Sequence, residues 1–484
     1  MAVFGKPKTL TCTCYELGHT WSPSCTYASI DVAQEVFRQA AKIYGTLYVV
    51  AGLVKRRDSK YFKKKLLLEI LQSCLFLTTN GTLFISFFCL WRKITGFYFL
   101  PSTFICGIPA CALSISLERG DRKLLGRFFF LTASFIPAAL GSYVAILLER
   151  KSRRGLLAIY MANVATETFY RMALSRGWVT PVRHGEVLLF SIASAIYLYL
   201  FRKNSLPSQT SQLFRFLVGR DELPVSVLAE EGESTKRKHT SGAGLSQIAT
   251  HPLVQKVNRS LQATPKHPLC QHRNGCLYYA LKGFTKLFGI GFVIQGGVKL
   301  ISSLPRIFKQ PSSLLQALKH RDNFKLGAFL GCFSAIFRLV NCLLRWVRNK
   351  DDELHGMLAG FLAGWSMLWF KSTTIALYTA YKLAEILYFK GISKGIVPYI
   401  RYADIIIYSI STAYVFHIAV LEPHCLRPAY WKFLVKVTGD RFSKMNRKLL
   451  EPVRPDAAKM FPDFWPDYDM RYTSLARESY FGNR

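Results

Sequence analysis

The chain has 484 residues, half of them hydrophobic, and a formal charge of +35 at pH 7. Charged residues make up only 19%, few for a soluble protein of this length, and the mean hydropathy is positive, which excludes an ordinary globular domain. A nucleic-acid partner is not expected either, because the basic residues lie in short connectors between apolar runs and not on one soluble face.

Residues 1–39 are polar and contain cysteine, in "CTCYELGHTWSPSC". No short apolar core with a small-residue cleavage site precedes the first hydrophobic run, so a cleaved secretory signal is not expected. Cys12, Cys14, His19 and Cys25 have the chemistry of a tetrahedral zinc site, but their spacing matches no standard finger or ribbon. A structural or membrane-anchoring role, palmitoylation included, is the preferred reading, and no cofactor is expected.

Residues 40–201 read as a first membrane repeat, with apolar runs at 40–54, 66–90, 97–117, 128–148, 155–174 and 186–201. A flexible linker follows at 202–276, with an apolar island at 212–219 suited to a membrane surface. It contains a glycosylation acceptor, Asn258-Arg259-Ser260, expected to stay unused on an organelle membrane. The linker ends in a second cysteine–histidine set: His267, Cys270, His272 and Cys276. Residues 277–421 form a second repeat, with runs at 278–302, 324–344, 354–370, 372–389 and 404–421, and 422–484 reads as a peripheral tail. The runs are continuous and lack the alternation of membrane strands. The predicted fold is therefore all-α: a polytopic helical membrane protein built from two tandem homologous repeats, with roughly ten or eleven membrane helices.

The repeat is visible in the residues. Setting Glu167 on Glu385 places Tyr160 on Tyr378, Tyr170 on Tyr388 and Gly177 on Gly395. "KIYGTLYVVAG" at 42–52 corresponds to "KLFGIGFVIQG" at 286–296, and "FFCLWRK" around Cys89 to "LVNCLLRW" around Cys342. The first half carries an additional segment, 97–127. An odd number of spans per repeat would invert the second copy relative to the first.

An acid inside an apolar run marks a substrate contact, a proton site or an interhelical pair. Glu167 has Arg171 one turn on and Glu385 has Lys382 one turn before, so local neutralisation competes with transport chemistry. The recurrence of the acids favours an inward-facing structural role. Gly356, Gly360 and Gly364 put a small-residue stripe on one helix face, and Gly327 and Gly331 repeat it in the preceding span, which predicts close helix packing. No phosphate-binding glycine loop, nucleophile elbow, His-Glu-x-x-His or histidine box is present, so an enzyme is not expected.

"CYELGHTWSPSC", "LERKSRRGLLAIYMANVATETFYRM", "GEVLLFSI", "NKDDELHGMLAGFLAG", "FKSTTIALY" and "LRPAYWKFL" resemble the transmembrane protein 135 family, also called peroxisomal membrane protein 52. "VRNKDDELHGMLAGFLAG" is also similar to the mitochondrial inner-membrane translocase channel family, whose members share an acidic pair before a glycine-zipper span. The first resemblance implies a multi-pass protein of peroxisomal and mitochondrial membranes. It also implies links to fatty-acid and energy metabolism, to peroxisome organisation and to the mitochondrial fusion–fission balance, through a dynamin-related fission GTPase. The partners expected are that GTPase and membrane lipids, with an oligomer allowed. Two functions remain open: a non-enzymatic regulator of organelle dynamics and lipid metabolism, or a transporter or channel for a lipid-derived solute.

Overall fold

The computed structural model describes residues 12–54, 56–95, 131–223, 259–307, 322–451 and 456–475. The additional segment 97–127 and residues 224–258 of the linker, Asn258 included, lie outside the described residues. Among the described residues there is no strand; the protein is all-α.

Unit 1 comprises 1–181 and 400–484; unit 2 comprises 182–399. A short helix α1 (Cys14–Leu17) opens unit 1, fixed by a reciprocal capping box between Thr13 and Glu16. It leads to α2 (Cys25–Val54), α3 (Ser59–Lys64), α4 (Leu66–Thr95), α5 (Leu131–Leu148) and α6 (Lys151–Ser175). Unit 2 begins with α7 (Gly185–Arg202) and the short amphipathic α8 (Ser208–Leu217). It continues with α9 (Cys276–Ile307), α10 (Asp322–Arg348), α11 (Glu353–Gly364) and α12 (Thr373–Ser393). The chain then returns to unit 1 as α13 (Ala403–Leu421) and the short amphipathic α14 (Pro428–Val437). Asp352 caps α11 by accepting from the Leu354 amide, and Ser372 caps α12 by accepting from the Ile375 amide.

Among the described residues, five helices are long and apolar enough to cross a bilayer: Leu66–Ile94, Gly185–Arg202, Cys276–Leu300, Asp322–Arg348 and Ala403–Leu421. Ser134–Leu148 is a shorter apolar helix. The ten or eleven spans expected are not reached among the described residues, for identifiable reasons. The run at 354–370 is broken where α11 stops after 12 residues and a 3₁₀ turn follows. Helices α6 and α12 carry charge at their centres, Glu167 with Arg171 and Glu385 with Lys382.

Within unit 1 the neighbours run α2–α4–α5–α13–α6. Within unit 2 they run α9–α10–α11–α7–α12. The two orders are the same, yet α7 is encoded after α6 and α13 after α12. Among the described residues, each series of five neighbours thus takes four helices from one half of the sequence and one from the other, so the compact units do not coincide with 40–201 and 277–421. Backbone features recur at equivalent places. Gly177 and Gly395, with φ of 68° and 71°, terminate α6 and α12 in the left-handed conformation that glycine tolerates. His184 and Tyr402, with φ of 60° and 62°, start α7 and α13.

Glycine decides the packing of unit 2. A Cβ on Gly356, Gly360 or Gly364 of α11 would lie 2.8 Å from the Leu198 carbonyl oxygen, 2.7 Å from the Ser194 carbonyl oxygen and 2.4 Å from Ser191 Cα of α7. Gly327 and Gly331 of α10 face α9 in the same way, 2.8 Å from the Phe288 carbonyl oxygen and 3.1 Å from that of Phe284. Backbone thus meets backbone across both contacts.

Candidate functional site: two thiol–imidazole clusters and buried ion pairs

The segment before α2 folds back so that Cys14 and His19 reach Cys25, the first residue of α2, and Cys89 on α4. The four donor atoms lie within 4.8 Å of one another. Unit 2 builds the same constellation: Cys270 and His272 precede α9, Cys276 is its first residue, and Cys342 comes from α10, again within 4.8 Å. Sulfur–sulfur distances are 3.3 Å for Cys14–Cys25 and 3.9 Å for both Cys270–Cys276 and Cys270–Cys342. All are far longer than the ~2.05 Å of a disulfide, and every one of these cysteines is a free thiol.

Both imidazoles are oriented by backbone. His19 Nδ1 donates to the Ser22 carbonyl over 2.7 Å, and His272 Nδ1 donates to the Asn274 carbonyl over 2.6 Å. That leaves Nε2 as the unprotonated nitrogen of a neutral ring. His272 Nε2 is 3.5 Å from Cys342 Sγ. His19 Nε2 is buried and makes no hydrogen bond of normal geometry. The Cys14 thiol is held below its ordinary pKa, chiefly by the hydrogen bond from Cys89, against the effect of burial. Cys270 is likewise held below its ordinary pKa, chiefly by Cys342, then by His272 and Arg345, against the effect of burial.

Two residues of the expected sets lie outside the clusters. Cys12 is replaced by Cys89: burial pushes its thiol up to about 12, and its carbonyl accepts from Arg92 Nε at 2.9 Å. His267 turns away, with Nε2 on the Asn349 amide oxygen at 2.9 Å and its ring against Trp346. The signal for the true fourth member was the pairing of Cys89 with Cys342, each followed by an arginine three residues later.

Beside the second cluster, Arg345 Nη1 lies 3.8 Å from Cys270 Sγ. The same guanidinium pairs with Glu222 at 3.2 Å and Asp351 at 3.0 Å. Arg202 completes the set, at 2.5 Å from Asp351 and 3.7 Å from Glu222. Arg345 and Glu222 are fully buried and Arg202 nearly so. Two arginines and two carboxylates balance, which is the condition for burying such charges. Burial acts to raise Asp351, but Arg202 and Arg345 outweigh it and hold the carboxyl below its ordinary value.

The two acids singled out in sequence diverge. Glu167 is buried and takes Arg427 at 2.6 Å and Arg171 at 3.0 Å. Glu385 is half-buried and meets only Lys382 among the ion pairs of the described residues. The difference is local: Arg427 is the N-cap residue of α14, and the N-cap residue of the matching helix α8 is Pro207, which carries no charge. Glu167→Leu is expected to cost on the order of 3 kcal/mol, because it strands Arg427. Glu385→Leu should stay within about 1 kcal/mol, the range of partly exposed pairs. Thermal unfolding of the two variants in detergent checks the contrast, and equal losses would contradict it.

Residues 11–125 and 120–174 match the model of the N-terminal cysteine-rich region of transmembrane protein 135. Residues 276–381 match that of the Tim17/Tim22/Tim23/Pmp24 family. The chain resembles both families. The first match contains the entire cluster of unit 1 together with Glu167. The second contains α9, α10 and α11 with all five stripe glycines, Cys276 and Cys342, and stops before Glu385. No solved structure matches the chain. With five apolar helices among the described residues, this is a multi-pass organelle membrane protein.

Proposed function

We propose that this transmembrane protein 135-like chain is a non-enzymatic regulator in peroxisomal and mitochondrial membranes. It acts through lipids and protein partners on the fission–fusion balance, peroxisome organisation and fatty-acid metabolism, with a dynamin-related fission GTPase as the expected partner. The observation that carries this reading over a coupled transporter is the state of Glu167. Two arginines hold it at 3.0 Å or less, so the acid best placed for proton coupling is committed to the fold.

Transport of a lipid-derived solute is the second reading, favoured by a cavity of ≈ 120 Å³ in unit 1. Its wall is mostly apolar, from Phe76, Phe84 and Phe416, with Asn80, Tyr408 and Thr412 as polar points. One experiment separates the two. In cells lacking the protein, wild type and Glu167→Gln are both expected to restore organelle morphology, and reconstituted vesicles are expected to show no flux of labelled fatty acid. Flux in vesicles that Glu167→Gln abolishes in a folded protein would replace regulation by transport.

A further inference from the structure

We propose that each unit contains a structural zinc site, made by Cys14, His19, Cys25 and Cys89 in unit 1 and by Cys270, His272, Cys276 and Cys342 in unit 2. A zinc ion with Zn–S of about 2.3 Å and Zn–N of about 2.0–2.1 Å, in tetrahedral geometry, sets its sulfurs about 3.8 Å apart and sulfur and nitrogen about 3.6 Å apart. Unit 2 has sulfur–sulfur distances of 3.9 Å and 3.9 Å and a sulfur–nitrogen distance of 3.5 Å. In unit 1 all four donors fall within 4.8 Å, with Cys14 and Cys25 closer together at 3.3 Å.

The surroundings are those of a metal ligand set. Both histidines give Nδ1–H to a backbone carbonyl and keep Nε2 for a metal, the outer-shell arrangement that fixes the tautomer of a coordinating imidazole; in unit 2 Nε2 faces Cys342 Sγ. Four protein donors close the coordination sphere, which marks a structural site without an open catalytic position. Three thiolates and one neutral imidazole around Zn²⁺ carry one net negative charge. Arg345 Nη1 lies 3.8 Å from Cys270 Sγ in unit 2, and Arg92 follows Cys89 at the same interval in unit 1. All three cysteines of each cluster bind as thiolates, and those still protonated release their protons to solvent.

A disulfide fits less well. It would pair two of the three sulfurs in each cluster and leave one thiol and the oriented histidine without a role. The site also explains a feature of each fold: the ion ties the segment ahead of the first long helix, and that helix's first residue, to the far end of the next one. The trio Glu422, His424 and Cys425 is not part of the proposal, because Arg176 already holds Glu422 at 2.5 Å.

The test is the metal content of the full-length protein, purified in detergent and dialysed against a weak chelator. Elemental analysis is expected to find about two zinc ions per chain. Cys89→Ser and Cys342→Ser should each lower this to about one, while Cys12→Ser and His267→Ala, which alter neighbours outside the clusters, should keep about two. Replacing zinc with cobalt provides a readout independent of variant folding: strong visible bands with thiolate charge transfer are expected. Zinc below about 0.2 per chain in the folded wild type, with all cluster thiols open to a thiol reagent or joined as disulfides, would overturn the proposal. Stoichiometric iron in place of zinc would overturn the assignment of the metal.

Discussion

Glu222→Leu is expected to destabilise unit 2 by about 3–5 kcal/mol, the cost of removing one partner from a buried ionic set. Its side chain is fully buried and receives Arg345, Arg202 and the Asn341 amide. Leucine leaves two guanidiniums facing the single carboxylate of Asp351, where water cannot reach to compensate. Glu222→Gln keeps an acceptor oxygen and is expected to lose less. The double variant Glu222→Leu with Arg345→Met leaves the matched pair Arg202–Asp351 and should recover part of the loss. Thermal or denaturant unfolding in detergent reads all three. If the leucine variant melts with the wild type, the quartet has no weight in the fold.

Gly364→Ala and Gly360→Leu carry the second large effect. One methyl group on Gly364 would sit 2.4 Å from Ser191 Cα, a distance that only separation of α11 from α7 relieves. Alanine there is expected to cost at least the 1–3 kcal/mol typical of overpacking, and leucine at 360, aimed at the Ser194 carbonyl, more. Gly289 in α9 is the control, because a Cβ there meets nothing within 4 Å. Gly289→Ala should be neutral, or stabilising by up to about 1 kcal/mol from its helix propensity. Detergent stability that falls in the order Gly289→Ala, Gly364→Ala, Gly360→Leu supports backbone contact between α11 and α7. Three equal values would refute it.

Membrane insertion was legible from composition, and most helices from their apolar runs, because a span of lipid-facing residues is a local property of the chain. Residues that match between the two halves, such as Gly177 and Gly395, were legible too, and both take the left-handed conformation after a helix. Three members of each thiol–imidazole cluster could be read for the same reason, since they lie close together before and at the start of a helix. Cys89 and Cys342 showed in sequence only as a matched pair and not as members of the clusters, because each sits a whole long helix away and only the antiparallel return of α4 and α10 brings it home.

The other departures have the same origin. Arg427 reaches Glu167 because α13 returns the chain to unit 1, and no spacing rule links positions 260 residues apart. By itself the sequence determined which segments are helical, which faces are small enough for close contact and which side chains can bind or carry charge. Tertiary structure alone decided which helices are neighbours, and therefore that α7 and α13 change units. Helix formation depends on residues a few positions apart. Choice of neighbour depends on fitting small residues against a distant backbone, and closing the chain over a longer loop adds only about 0.6 kcal/mol per doubling of its length. A fifth helix from either half can therefore fill the place, and packing complementarity selects which one does.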